Sequence, residues 1–472
     1  MSTKSGPAHT LWLLAAFTLL TAPFLRVSNQ LLMQSRLRRY ASFGFAHFAL
    51  VMSSRLRHHL LKRYIRNLAG ESGFDQWLTR LVLPSAGFQP EAFCEQIRRQ
   101  RALLLVGPSG VGKTSYLQYL AARCCFRDGW FGSHSYPVPV YLPLGRLRGQ
   151  SPEGLVSSQL ALYGEITDRE LVDGFMQQGG FLILIDGLNE IDEAARQEVA
   201  AFVERYHRAN FFCLSTQFVY AGFEGLARLD MTPLTPDKVN ELLRQRLGEE
   251  ETDTLIAGLT GHDYSVLSLP LNAEFAIEVT EQGRPLPGSE AELYDAALSP
   301  VLDRWIRGGQ TAYPGLLYER AYDMVRSREV LLPAAGANLP EAMRDALLER
   351  KLLIRSGSQL QFRHELIRSW LASQYLLPRW RTRLAEPGIH LGDHWLVTLE
   401  FLALQQSNAA DVGDLLFMVL GKDAALAGEL FTHIRDRVLG LTSGWVEDFH
   451  RAYGAAMLTA HPDQSRQTAD SE

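Results

Sequence analysis

Hydrophobic patterning divides the chain into three zones. Near the amino terminus, Leu11 to Leu25 is a charge-free apolar run of 15 residues, about 22 Å long as a helix where a membrane span takes about 20 residues. A shorter apolar stretch, Ala41 to Met52, is flanked by arginines. In the second zone, short apolar runs at Ala102–Val106, 136–142, Phe181–Ile185 and 210–217 alternate with helical periodicity, such as the amphipathic segment 194–208. Buried strands alternating with helices predict a doubly wound parallel α/β sheet.

The third zone is helical. Periodicity covers 236–282 and 290–308, with a Gly/Pro-rich break at 283–288, and 333–340 forms a second break. Two short strands at 352–354 and 359–362 then surround a Ser-Gly turn, so that helix, hairpin and helix follow in order. Apolar stretches at 395–404, 412–420, 425–439 and 445–458 predict a short stack of helices without a fixed-period repeat, and 461–472 reads as a polar, disordered tail.

Composition narrows the class. With 472 residues, 46% hydrophobic and 21% charged, the chain is long enough for about three domains and is neither disordered nor collagenous. Residues 1–70 contain ten Lys and Arg and no acid, which leaves 37 basic against 52 acidic residues in the rest. A basic leader on an acidic body points to an anionic membrane surface before nucleic acid. The leader therefore predicts a membrane anchor, single-pass or hairpin, in an inner or cytoplasmic membrane with the body on the cytoplasmic side. A peripheral amphipathic segment and a buried helix pair are the alternatives. Four cysteines, without CxxC or Cys/His spacing, fit structural thiols in a reducing compartment.

The chemistry concentrates in two motifs. Strand 102–106 runs into Gly107, Pro108, Ser109, Gly110, Val111, Gly112, Lys113, Thr114 and Ser115, followed by a helical pattern. This GxxxxGK[ST] loop between strand and helix lets backbone N–H groups wrap phosphates, brings Lys113 to the β- and γ-phosphates and offers the Thr114 hydroxyl to Mg2+. About 70 residues on, strand 181–185 ends in Asp186, with Glu190 four residues later. Asp186 is the expected holder of the Mg2+ shell and Glu190 the residue that polarises an attacking water. Lys113, Asp186 and Glu190 are thus the candidate catalytic residues, and ATP or ADP with Mg2+ the expected cofactors, GTP being an open alternative.

The two motifs, with the 137–142 strand, Ser215-Thr216-Gln217, Pro233-Leu234-Thr235, Leu269-Pro270-Leu271, Glu292-Leu293-Tyr294 and Phe362-Arg363-His364, resemble NACHT-type NTPases of the STAND class within the AAA+ group over roughly residues 85–380. The resemblance implies an α/β P-loop NTPase domain with a parallel sheet at 67–232, behind a leader at 1–66. A small helical subdomain at 233–288, a winged helix at 289–380 and a helical carboxy-terminal region at 381–460 would follow. It further implies that Pro270 packs near the base, that His364 contacts the phosphates of a closed ADP state, and that the protein is an ADP/ATP signalling switch in defence or stress response. In that picture it self-associates with ATP and hydrolyses it slowly, under a protein or ligand trigger that the sequence does not identify. Gln217 stands where the family has arginine, which removes a cation from the phosphate site and weakens the case for fast turnover. A nucleotide-binding scaffold that recruits a partner through its carboxy-terminal helices is the alternative. The helix after the hairpin lacks a basic cluster, which argues against DNA as a partner.

Overall fold

The computed structural model describes residues 64, 66–67, 88–126, 137–147, 149–164, 169–333, 339–356, 359–435 and 443–460. Five parallel strands, β1 (Ala102–Val106), β2 (Val138–Pro143), β3 (Phe181–Asp186), β4 (Phe211–Thr216) and β5 (Ala227–Asp230), form one sheet in the order β2-β3-β4-β1-β5. Every residue of β1 and β3 is buried, as strands covered on both faces require. Helices Pro90–Gln100, Lys113–Phe126, Pro152–Gly164, Arg169–Gln178 and Glu193–Tyr206 accompany the strands in this half. The register sets Val106 beside Thr216 and Leu214 beside Ile185. The carboxyl ends of β1, β3 and β4 therefore meet at one edge, the place where open parallel sheets hold their ligands.

The parallel α/β expectation of at least four strands is met, with β5 as a fifth strand beyond the runs named above. β5 escapes a hydrophobicity reading because its ARLD sequence lies at the sheet edge and alternates between half-buried and exposed. The sheet core includes Tyr64 and runs from Phe88 to Met231, and a second, helical core runs from Leu234 to Phe449. Within the second core, β7 (Leu353–Ser356) and β8 (Gln359–Phe362) form the expected hairpin. They are joined by β6 (Leu331–Pro333) in an antiparallel sheet of order β6-β8-β7. The hairpin leads into helix Glu365–Leu376, which packs on helices Tyr313–Arg326 and Leu396–Leu404 and buries Trp370 beside Tyr318.

The expected membrane location is corrected. Among the described residues no helix is long and apolar enough to cross a membrane. The two longest helices, Glu290–Arg307 and Ser443–Ala460, reach 18 residues each, but carry charges such as Asp295, Arg304, Glu447 and Arg451 along their length. The apolar runs 11–25 and 41–52, which prompted the expectation, lie outside the described residues, as does the predicted tail 461–472.

A charged latch joins the two cores beside the sheet. Arg196, on the helix capped by Asp192, donates to the Ile191 carbonyl at 3.0 Å and to the Asp393 carboxylate at 3.3 Å. Tyr220 donates to the same Asp393 oxygen at 2.5 Å, and the Arg196 guanidinium lies 4.0 Å from the centre of the Tyr220 ring. Burial and the neighbouring Asp393 push the Tyr220 hydroxyl pKa above its ordinary value. Because Arg196 is 92% buried, loss of its cross-core partner leaves a desolvated charge only partly compensated. Asp393→Ala is expected to lower stability by about 2–3 kcal/mol, seen as a lower denaturant midpoint, with Asp393→Asn losing less. Equal midpoints for all three proteins would show that the latch carries no stability.

Candidate functional site

The glycine loop leaves β1 at Gly107, whose N–H donates to the Thr216 carbonyl at 3.2 Å, and ends where helix Lys113–Phe126 begins. Gly110 and Gly112 have φ of 81° and 99°, a conformation that side chains disfavour and that nests of backbone N–H groups use. Gly110 is closely overlaid. A Cβ there would stand 2.5 Å from a Leu366 methyl and 3.3 Å from one of Leu269, so a side chain at this position would push the Leu366 methyl off the loop. Lys113 donates from Nζ to the carbonyls of Gly107 and Pro108, each at 2.7 Å. Burial brings its pKa down to about 8, although Glu365, Asp186 and Glu190 pull the other way. Thr114, at the helix start, is exposed.

Asp186 closes β3. Its carboxylate accepts hydrogen bonds from Ser215 at 2.5 Å and from Tyr141 at 2.8 Å, and Ser215 also accepts from the Gly187 N–H at 3.1 Å. The neighbouring strands thus fix the acid from both sides, leaving lone pairs for the water shell of a cation. Gly187 sits at φ 86°, and a Cβ there would meet the Glu190 carboxyl carbon at 2.8 Å. This close approach tucks Glu190 under the turn, where burial, followed by the nearby Glu365 and Asp186, raises its pKa to about 8.

The helical core supplies the cover. His364 caps helix Glu365–Leu376 by accepting from the Leu366 N–H at Nδ1, 3.2 Å away. Burial, with Arg363 and Lys113 nearby, lowers its pKa to about 3. The ring is therefore neutral, and the cap leaves the proton on Nε2 as a donor. Glu365, the next residue, accepts from Ser109 Oγ at 2.9 Å and from Gln217 Nε2 at 3.3 Å through one oxygen, Oε2. Arg368 stands 3.7 Å from its other oxygen and donates to the Glu329 carbonyl at 3.0 Å. Pro270 opens helix Pro270–Glu281, with its ring 3.8 Å from where a Gly112 Cβ would lie.

The loop residues, Lys113, Asp186, Glu190, Gln217, Pro270 and His364 thus gather at one edge of the sheet. Sequence reasoning missed Tyr141, Ser215 as a ligand of Asp186, and Glu365. Tyr141 lies in a strand that the apolar pattern at 136–142 predicts, but the hydrogen bond of its hydroxyl across 45 residues has no local signature. Beside Gly107, Pro108 and Ser109 a cavity of about 600 Å³ opens, walled by Gln217, Met231, Leu269 and Phe401 among others, a volume ordinary for a small-molecule pocket. The residue set suits a nucleotide with Mg2+. The loop can wrap phosphates, Lys113 can exchange its two carbonyl partners for phosphate oxygens, and Thr114 and Asp186 can hold the ion.

No protein-family model and no curated protein matches the chain. Solved structures that resemble it include a Walker-type ATPase of Pyrococcus abyssi, at 13% identity over 62% of this chain and 99% of that one, TM-score 0.32. A STAND protein with a tetratricopeptide repeat sensor from Pyrococcus horikoshii shares 13% identity over 72% of this chain, TM-score 0.35; the match spans 53% of its length. The Orc1 protein of Aeropyrum pernix, solved in complex with DNA, shares 15% identity over 63% and 95% of the two chains, TM-score 0.32.

The raised pKa of Glu190 has a measurable consequence. Folded protein keeps this proton up to about pH 8, whereas an unfolded glutamate releases it near 4.5. In that window the folded state binds more protons, and the stability contributed by Glu190 falls as pH rises. Glu190→Gln, which mimics the protonated form, should gain stability over wild type between about pH 5 and 8, by at most about 1.4 kcal/mol per pH unit. A wild-type-to-variant difference that stays constant across this range in denaturant titrations would contradict the assignment.

Proposed function

We propose that the protein is a nucleotide-dependent switch of the STAND/NACHT kind, a slow ATPase held closed by its own helical half. The proposed units are the NTPase domain 67–232, the helical subdomain 233–288, the winged helix 289–380 and the carboxy-terminal helices 381–460. The observation that carries the reading is the seat of helix Glu365–Leu376 on the phosphate loop, with Leu366 on Gly110 and Glu365 on Ser109. A segment packed on the phosphate-binding residues must respond to what they bind, because a ligand shifts a two-state protein through its different affinity for the two states.

In the proposed cycle the loop N–H groups and Lys113 would bind the phosphate chain, while Asp186 and Thr114 would hold Mg2+, which would supply neutralisation of phosphate charge. Pro270 borders the base, and His364 offers Nε2–H to a phosphate oxygen. Glu190 is the residue that would take a proton from an attacking water. In the closed form it already carries one near neutral pH, and a protonated carboxyl is no base. Opening removes Glu365 from its surroundings, lets water reach the carboxyl and restores an ionised Glu190. Closure and slow hydrolysis then share one cause.

ATP-driven self-association, in a defence or stress-response setting, is the output we propose, with surfaces freed by the departing helical half as its contact area. One observation favours a second reading, a nucleotide-binding scaffold. Gln217 places an amide, not a cation, beside the phosphate site and spends it on Glu365. The two readings separate when the full chain is purified, its released nucleotide identified, and its size measured with ADP and with ATP and Mg2+. The switch predicts bound ADP, assembly in ATP alone, and loss of both in Lys113→Ala. An assembly state indifferent to nucleotide, with Lys113→Ala costing only stability, would leave the scaffold.

A further inference from the structure

Glu365 reaches across 256 residues to the phosphate loop, and the groups it engages are unusual company for a carboxylate that merely opens a helix. Ser109 belongs to the loop, Gln217 follows the central strand β4, and both donate to the same oxygen at 2.9 and 3.3 Å. Among the acids acting on Lys113 it is the strongest, and among those acting on Glu190 as well. The carboxylate therefore acts on both the loop lysine and Glu190, and with Glu190 it lines one small cavity. Its back is fixed by Arg368, itself anchored to the Glu329 carbonyl. An acceptor-only group, negatively charged and held by donors of the phosphate site, has the properties of a phosphate oxygen pair.

We infer that Glu365 is an internal stand-in for the terminal phosphate, so that the closed protein accepts a nucleoside diphosphate and rejects a triphosphate. A third phosphate needs the donors of Ser109 and Gln217 and sets its charge against the carboxylate of Glu365. It binds only when helix Glu365–Leu376 lifts. The inference rests on the nucleotide-binding reading above and adds the residue that sets its selectivity.

The test compares full-length wild type, Glu365→Gln and Glu365→Asp, titrated calorimetrically with ADP and with the non-hydrolysable imido analogue of ATP, both with Mg2+. Thermal unfolding of each protein serves as the folding control, and Glu365→Ala replaces the amide variant if that fails to fold. Wild type should prefer ADP by about tenfold or more, and Glu365→Gln should erase about tenfold of that preference by binding the triphosphate more tightly. ADP affinity should change by less than about threefold, about half of the tenfold free-energy step, and Glu365→Asp should keep the wild-type ratio. A ratio unchanged in Glu365→Gln, or both affinities moving together, overturns the inference while leaving nucleotide binding intact. Wild type that binds neither nucleotide overturns the nucleotide reading as well.

Discussion

The start of one helix, residues 364–366, rests on the tip of a glycine loop, and the arrangement of the molecule follows from making that contact possible. Three adjacent residues contribute three kinds of interaction. The His364 ring caps the helix and stays neutral, Glu365 accepts from Ser109 and Gln217, and Leu366 fills the space left by the missing side chain of Gly110. The apolar part excludes water, which strengthens the polar part. The same exclusion moves the protons of the site. Lys113 drops to about 8 and Glu190 rises to about 8, so a lysine and a carboxyl that would both be fully charged in water sit near the point where either can exchange its proton.

The contact does not stand alone. On the far side of the Glu190 turn, Arg196 holds the Ile191 carbonyl and the Asp393 carboxylate together, with Tyr220 on the same acid. The helical half thus reaches the site by two bridges, one from Glu365 to Ser109 and Gln217 and one from Asp393 to Arg196, whose guanidinium holds the Ile191 carbonyl just after Glu190. Between the bridges, His394 and Arg368 face a small cavity that Glu190 and Glu365 also line, so charges of both signs converge where the two halves meet. Burial is what makes these pairs matter, because surface ion pairs such as Arg228 with Asp230 contribute little.

What could be read in the sequence was whatever is local. The glycine loop, the strand ending at Asp186 and the hairpin at 353–362 are each written within about ten residues, where backbone geometry and chemistry demand particular side chains. β5 was hidden because an edge strand with one wet side needs no apolar run, and β6 because three residues carry no period. The partners of Asp393 lie 173 and 197 residues away, and Glu365 looks like an ordinary acid in a first helical turn until the fold sets it on Ser109. The apolar leader misled in the opposite sense: a local pattern suggested a membrane location that no described helix supports.

The central claim is that nucleotide identity decides whether helix Glu365–Leu376 stays on the phosphate loop. The most direct measurement is the distance between spin labels at positions 198 and 349, both exposed and one on each half, in the full chain with ADP and with ATP plus Mg2+. A single narrow distance is expected with ADP and a longer, broader distribution with ATP. Identical distributions under both nucleotides would contradict it.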